Sequence, residues 1–249
     1  MHASRALSEQ CELSDLRQFK NLRQSSHSVT ASYPAGNAVA RAIKVLRDEG
    51  VGIFWIKVMA GLGIYRRLVL QERPLDHAVS DFAPKLPVRI ELLKEDEVDD
   101  YLTLRRSATR TQVVDRLRAG HLCFVARNAD RVISTCWAAT RPTWIDYLAC
   151  EIDLNAGDAY LFDAFTEPRH RGQGIAPALC LHQLGYLEHA GYRRAIRATT
   201  IENRPALRAH AKSGFRPTGT LSRLKIGPWQ RFFRRPWPMS IGERQRDTE

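Results

Sequence analysis

One stretch constrains the fold of this chain more than any other: residues 160–176, Y-L-F-D-A-F-T-E-P-R-H-R-G-Q-G-I-A. It starts as a β-prone run, passes Pro168 and enters a turn that contains Gly172 and Gly174. A helical pattern follows and reaches about Gly191. A strand that runs through small residues into a helix N-terminus directs unpaired amide N–H groups at one spot, where the helix dipole adds positive potential. The stretch therefore predicts a phosphate-binding loop.

Two common nucleotide-binding patterns fit this loop poorly. The Walker pattern needs Lys and then Ser or Thr after its last glycine, and Ile175 and Ala176 stand there instead, so an ATPase is a poor match. The dinucleotide fingerprint fits Gly172 and Gly174, but Pro177 takes the place of its third glycine and no further βαβ unit follows. The loop is therefore expected to hold the phosphates of another kind of ligand.

A better match is the pattern R-x-x-G-x-A, which Arg171, Gly174 and Ala176 supply. A second block lies downstream, where residues 203–206 read N-R-P-A and residues 214–215 read G-F. Together the two blocks resemble the GCN5-related N-acetyltransferase (GNAT) superfamily. In that superfamily the first pattern holds the pyrophosphate of acetyl-CoA, and the second leads from the fifth strand through a short helix to the next strand.

The order of the predicted elements agrees with this resemblance. From Val88 onward the patterns predict a strand, two helices, a hairpin, a further β-prone stretch and a central strand before the loop, then helix, strand, helix and strand. The resemblance covers roughly residues 88–228. It implies an α+β fold with a mixed central sheet of the acyl-CoA N-acyltransferase type, in which the central strand splays from its neighbour. Residues 1–87 are expected to form an N-terminal extension, partly helical and partly loose, and residues 229–249 a basic C-terminal tail.

The extension contains two helical or apolar runs. Residues 39–50 predict a short helix that ends at Gly50, and residues 51–67 are largely apolar but include Lys57. The second run is too short to cross a bilayer. Three interpretations stay open for it: packing on the rest of the protein, contact with a second copy in a homodimer, or a membrane-surface element anchored by Trp55.

The net charge and the cysteines of the chain indicate which partners and which cellular compartment to expect. The chain has a formal net charge of +11, but residues 88–215 hold 18 Lys and Arg against 16 Asp and Glu, so most of the excess lies in the flanks. The sequence contains no zinc-finger, RNP or homeodomain pattern, so no specific nucleic-acid contact is predicted. Five cysteines without a C-x-x-C pair, and an N-terminus without a signal-peptide pattern, predict reduced thiols in a cytoplasmic protein and no metal site.

Acetyl transfer to an amine requires that the donor is held, the carbonyl oxygen stabilised, the ammonium deprotonated and the thiolate released. The resemblance implies that acetyl-CoA binds with its pyrophosphate on the loop amides and its pantetheine arm beside the central strand, one N–H of which is the oxyanion donor. Asn203 matches the family Asn near the cofactor, and it can equally cap the helix that follows. The residues expected to bind the cofactor are Phe165, Thr166, Arg171, Gly172, Gln173, Gly174, Ile175, Ala176 and Asn203.

Three residues are candidates for proton transfer. Family members often carry a Tyr that protonates the thiolate, and His210 stands at that position; a packed histidine, with water as the acid, is the alternative. For the base, Asp163 alternates with Leu161 and Phe165 and is expected on their apolar strand face, where burial would raise its pKa. A salt-bridged structural Asp is the alternative. Asp158 lies near the place where some family members carry a Glu.

These observations predict an enzyme that moves an acetyl group from acetyl-CoA to the primary amine of a small molecule or peptide by direct attack. A non-catalytic acyl-CoA-binding or scaffolding module is the alternative, because His210 replaces the Tyr. The acceptor is not predicted, but five residues are candidates for its side of the site: Arg105, Arg106, Trp137, Trp144 and Trp229.

Overall fold

The structure, a computed structural model, describes residues 51–76 and 82–237. The helix predicted over residues 39–50 lies outside the described residues. The helices are α1 Val51–Gly61, α2 Val98–Leu104, α3 Arg110–Arg118, α4 Ile175–His189 and α5 Arg204–Lys212, with 3₁₀ turns at Glu95–Glu97 and Pro168–His170. The strands are β1 Tyr65–Pro74, β2 Arg89–Leu92, β3 Leu122–Asn128, β4 Arg131–Ala139, β5 Thr143–Ile145, β6 Cys150–Ile152, β7 Asp158–Thr166, β8 Arg194–Thr200, β9 Arg216–Ile226 and β10 Trp229–Pro236.

Within these ranges eight strands form one sheet, in the order β10-β9-β1-β8-β7-β4-β3-β2, and β5 and β6 form a separate hairpin. Neighbouring strands of the sheet are antiparallel except β7 and β8, which are parallel. Helix α4 makes the crossover between these two strands, as a parallel pair requires. The mixed sheet confirms the fold class predicted from the sequence.

The sheet extends beyond residues 88–228 on both sides. Strand β1 belongs to the range expected to be an N-terminal extension, yet it lies between β9 and β8, where Leu68 pairs with both Leu221 and Thr200. Strand β10, expected to start a basic tail, pairs with β9 along its whole length. Leu68 and Val69 are buried in the sheet. Because the partners of β1 are far away in the sequence, its local pattern did not reveal its place.

The apolar run at residues 51–67 forms α1 and the start of β1. At its end the Arg66 guanidinium donates to the carbonyl oxygen of Tyr147 at 2.8 Å and lies 5.3 Å from the centroid of that ring. This contact favours packing on the sheet for the last residues of the run. No helix in the described ranges combines the length and apolar character needed to cross a membrane.

Each face of the sheet has its own buried cluster. On one face α4 packs Leu179 against Leu161 and Ala195. On the other face α2 and α3 cover β3 and β4, with Tyr101 against Trp137. Fully burying a side chain of this size contributes roughly 1.5–3 kcal/mol, so α4 is firmly held on β7 and β8. The loop that precedes α4 is thereby fixed at the carboxyl end of β7.

Candidate active site

Strands β7 and β8 part halfway along their length. They pair from Asp158 opposite Arg194 to Leu161 opposite Arg197, and beyond that point β7 continues against β4 while β8 continues against β1. The backbone of residues 162–166 therefore has no β8 neighbour. This parting is the splay that the sequence resemblance predicted beside Phe165.

A β-bulge marks the start of the parted segment. Cys136 of β4 faces two residues of β7, Asp163 and Ala164, instead of one, and Asp163 has φ +49°. The extra residue reverses the alternation of side chains along β7. Asp163 consequently shares its side of the sheet with Phe165, whereas Leu161 packs under α4. The prediction that Asp163 shares a face with Leu161 is wrong for this reason.

The glycine-rich loop forms the expected amide cradle. Helix α4 begins at Ile175, and Gly174 is its N-cap residue with φ +80°. Among the described residues, no backbone carbonyl accepts a hydrogen bond from the N–H groups of residues 172–176. The hydrogen-bond ladder of the helix starts after them, with the bond from the Ala178 N–H to the Gly174 carbonyl oxygen at 3.1 Å. The cradle therefore offers several amide donors to an anion at the positive end of the helix dipole.

Residues 82–85 brace this loop from outside. The N–H of Lys85 donates to the carbonyl oxygen of Gln173 at 2.9 Å. A Cβ atom on Gly174 would lie 2.8 Å from Cε1 of Phe82, which is closer than real contacts allow. Gly174 is thus favoured by its backbone angle, and a Cβ there would also force the exposed Phe82 ring to move.

Arg171 ties the loop to the end of β7. Its Nε donates to the carbonyl oxygen of Thr166 at 3.2 Å, and its guanidinium carbon lies 6.0 Å from the centroid of the Phe165 ring. The Thr166 hydroxyl in turn lies 2.8 Å from the Ser134 hydroxyl. An exposed positive charge is therefore held beside the cradle.

A cavity of about 90 Å³ lies between the parted segment and the first turns of α4. It joins the predicted strand residues Phe165 and Thr166 to the loop residue Ala176, with Arg197 at the closed end of the parting. A larger space of about 370 Å³ lies between β1, β9 and β10. None of the predicted site residues lines that larger space, so we place the candidate site in the smaller cavity.

Asn203 is the N-cap residue of α5. Its Oδ1 accepts a hydrogen bond from the N–H of Ala206 at 3.2 Å. A cap of this kind stabilises a helix by about 1 kcal/mol. The structure thus shows the capping interpretation, while a cofactor contact of Asn203 stays a prediction.

Asp158 is part of a structural ion pair. Its carboxylate accepts hydrogen bonds from Nε and Nη2 of Arg194 at 2.9 and 2.7 Å and from the N–H of Asn155 at 3.1 Å. The hydrogen bonds from Arg194 are the main cause that lowers the pKa of Asp158. The residue lies at the paired end of β7, away from the parted end. This geometry does not suit a base for the acceptor amine.

Asp163 is held by two arginines. It accepts hydrogen bonds from Nη1 of Arg116 at 2.8 Å and from Nη2 of Arg105. The guanidinium carbon of Arg105 lies 4.8 Å from the Phe165 ring centroid, and that of Arg116 lies 5.4 Å from the centroid of Trp137. Because both carboxylate oxygens already accept hydrogen bonds from cations, the salt-bridged interpretation fits Asp163 better than the base.

His210 is partly buried against the sheet. Its Nδ1–H lies 2.8 Å from Oε1 of Gln71 and donates to it, and its ring packs 6.0 Å from that of Phe215. Burial and the nearby Arg197 charge lower the pKa of His210 to about 3. The imidazole is therefore neutral near pH 7 and lacks the proton that the predicted acid would donate. The packed-histidine interpretation fits this environment better.

The sequence did not point to two residues that bear on the site, His121 and Arg197, of which Arg197 lines the cavity. His121 packs edge-on against the Phe162 ring at 6.0 Å, and burial, with the charges of Arg116 and Arg141, lowers its pKa. Arg197 lies in β8 between Ile196 and Ala198, and a charge flanked by apolar residues was the signal that could have singled it out.

The aromatic candidates for the acceptor side differ in access. Trp137 is buried, and its indole N–H donates to the Tyr101 hydroxyl at 3.1 Å, so it belongs to the core. Trp144 and Trp229 are exposed on β5 and β10. Across residues 51–76 and 82–237, no group of three or more His, Cys, Asp or Glu is arranged to hold a metal ion.

The comparison with known proteins agrees with this geometry. The sequence model of the Acetyltransferase (GNAT) family matches residues 89–215. This chain therefore belongs to the GNAT family of acetyltransferases.

Solved structures with a similar arrangement share little sequence with it. A GNAT-family acetyltransferase from Novosphingobium aromaticivorans DSM 12444 is 18% identical, with TM-score 0.45, over 64% of this chain and 65% of that one. A GCN5-related N-acetyltransferase from Sphaerobacter thermophilus is 16% identical, with TM-score 0.47, over 74% and 56%. The aminoglycoside N-acetyltransferase AAC(6′)-Iy in complex with CoA is 19% identical, with TM-score 0.42, over 57% and 98%. The matches thus span less than two thirds of the first two proteins.

Proposed function

We propose that this protein transfers an acetyl group from acetyl-CoA to the primary amine of an acceptor. One observation carries the proposal: the amide cradle at the start of α4 reaches, at Ala176, the same cavity that the parted end of β7 borders. An anion site alone would suit many phosphate ligands, and a parted sheet alone does not indicate any particular ligand. Their combination suits a ligand that has a diphosphate at one end and an extended amide-bearing arm at the other.

In this proposal the donor is held by backbone groups. The amides of residues 172–176 bind the pyrophosphate, and Arg171 adds a positive charge nearby. The arm follows residues 164–166, whose backbone has no β8 neighbour, and forms the missing β-type hydrogen bonds. A backbone N–H at the bulge stabilises the carbonyl oxygen as charge develops on it.

The acceptor approaches from the side of Asp163 and Arg116. Its ammonium loses a proton to His121, directly or through a water molecule, because the lowered pKa keeps that imidazole neutral near pH 7 and its ring lies against Phe162. The amine nitrogen then attacks the thioester carbonyl carbon. The C–S bond breaks, and CoA leaves with the electron pair on sulfur. The nitrogen, which is positively charged after the attack, loses its second proton to water as the amide forms.

The first test measures donor binding in a matched pair of variants. Gly174→Ala would place a methyl group 2.8 Å from Phe82 at a residue with φ +80°, so we expect acetyl-CoA affinity to fall at least about tenfold. Gly185→Ala is the control, since it lies within α4 and a Cβ there meets no atom within 4 Å. Equal affinities of the two variants, measured by titration calorimetry, would contradict the cradle.

Turnover is tested by release of free CoA thiol with a panel of amines, amino sugars and peptides, and acetylated products are identified by mass. One observation favours a second function: the neutral imidazole of His210 leaves the site without the family's acid, as in a non-catalytic acyl-CoA-binding module. Binding of acetyl-CoA without turnover of any amine would support that module. Failure to bind acetyl-CoA would refute both functions.

A further inference from the structure

Arg197 is a buried cation with no carboxylate counterion among residues 51–76 and 82–237. Only 7% of its surface is exposed. Within the described ranges no carboxylate pairs with it, its Nε has no hydrogen-bond partner, and its Nη2 lies 3.6 Å from the Sγ atom of Cys136. The ring of Phe215 lies 5.3 Å from its guanidinium carbon. A buried charge without a partner is costly, and arginine does not escape this cost by losing its proton.

The position of Arg197 indicates which part of a ligand would lie near this charge. It is the last β8 residue that pairs with β7, opposite Leu161, and it lines the cavity together with Phe165, Ala176 and Cys180. A ligand anchored at the start of α4 and extended beside Phe165 therefore brings its far end toward the guanidinium. The amides that bind the diphosphate lie at the other end of this path, so Arg197 is not needed there.

We infer that Arg197 stabilises the CoA thiolate as it leaves, an inference that rests on the proposed function. When the amine nitrogen forms its bond to the carbonyl carbon and the C–S bond breaks, the electron pair and the negative charge pass to sulfur. The guanidinium balances that charge at the closed end of the parting. The nitrogen loses one proton before its attack and a second as the amide forms. Both protons go to the acceptor side and then to solvent, so no proton is needed at sulfur until CoA is released.

The neighbouring titratable groups are consistent with a site in which Arg197 stabilises the sulfur and no side chain protonates it. His210 of α5 stays neutral near pH 7, because burial and the Arg197 charge lower its pKa to about 3, so it cannot protonate the sulfur. Burial raises the pKa of Cys136 on β4 to about 11 and also raises that of Tyr160 on β7. Cys180 of α4 lies on the same cavity. Gln71 of β1, opposite Arg197, is uncharged. Arg197 therefore supplies the cation in this cluster.

The test compares the affinities of CoA and of dethio-CoA, which lacks the sulfur, for the purified protein across a pH series. If Arg197 favours the thiolate, the pKa of the bound thiol falls by about 1–3 units from its free value of about 8.5. The affinity of CoA relative to dethio-CoA then rises between about pH 6.5 and about pH 9, by about sevenfold if the pKa falls by one unit and by about 70-fold if it falls by three. Ionisation of the protein's own groups affects both ligands alike and cancels in the ratio.

Arg197→Gln and Arg197→Met should flatten this rise while leaving dethio-CoA affinity within about threefold, and Arg197→Lys should restore most of it. Arg194→Gln is the control for distant charge, because it removes an arginine from the paired end of the same strand and should keep the full rise. A ratio that does not change with pH in the unmodified protein overturns the inference, as does a full rise in Arg197→Gln. If neither ligand binds the unmodified protein, the proposed function itself has failed.

Discussion

His210 should make this protein less stable in mild acid. Its ring is partly buried between Gln71, Phe215 and the Arg197 charge, so a proton on the ring would lose some of its water and face a cation. For this reason the pKa of His210 is lowered to about 3 in the folded protein. In the unfolded chain the same side chain has a pKa of about 6.5. The perturbation that tests this is His210→Phe, which fills similar space and does not titrate.

The magnitude follows from proton linkage. Between these two pKa values the unfolded chain binds a proton at His210 and the folded protein does not, so the free energy of unfolding falls as the pH falls. Each pH unit below about 6.5 costs about 1.4 kcal/mol, and the loss continues down to the folded pKa. At pH 5 the contribution of His210 is therefore a loss of about 2 kcal/mol.

Urea unfolding at pH 7 and pH 5 measures this effect. The unmodified protein should lose about 2 kcal/mol more than His210→Phe between the two pH values. The lowered pKa values of His121 and His182 also weaken the fold in acid, but both residues are present in both proteins and cancel in the comparison.

Gln71→Met is the control. It removes the hydrogen bond to the imidazole but keeps the buried ring, so stability should fall at both pH values while the extra loss in acid persists. If His210→Phe and the unmodified protein lose equal free energy from pH 7 to pH 5, the ring is not held neutral by burial. The argument against His210 as the acid would then fail as well.

Two further predictions concern proton transfer. Asp158→Asn should lower the free energy of unfolding by about 2 kcal/mol, because it breaks the ion pair with Arg194. It should leave the affinity for acetyl-CoA unchanged. Loss of turnover without loss of stability would instead support Asp158 as a base. In steady-state assays His121→Gln should reduce kcat roughly 100-fold with little change in the KM for acetyl-CoA. Full activity of this variant would exclude His121 as the base.

Local features could be predicted from the sequence because neighbouring residues create them. The loop before α4 depends on Gly174 and on the helix that starts at Ile175, and both are visible in six letters of sequence. Asn203 as a helix cap is local in the same way. The patterns of the hairpin and of the helices were sufficient to predict a mixed α+β fold, apart from β1 and β10.

The side on which Asp163 lies could not be predicted in this way. Alternation along β7 placed it with Leu161, but the bulge opposite Cys136 reversed its direction. A bulge depends on the register between two strands, which no single strand encodes. The same limit explains β1, whose buried residues Leu68 and Val69 find their partners only in the folded sheet.

The sequence by itself determined that an amide cradle precedes a helix, that His210 stands where relatives often carry a Tyr, and that the chain belongs to the GNAT family. Only the tertiary structure decided which of these groups carry charge. Gln71, Arg197 and His210 come from β1, β8 and α5. The fold buries the first two and partly buries the histidine beside them, so that the histidine is neutral and the arginine remains the cation. Protonation depends on burial and on neighbouring charges, and both are set by residues that are distant in the chain.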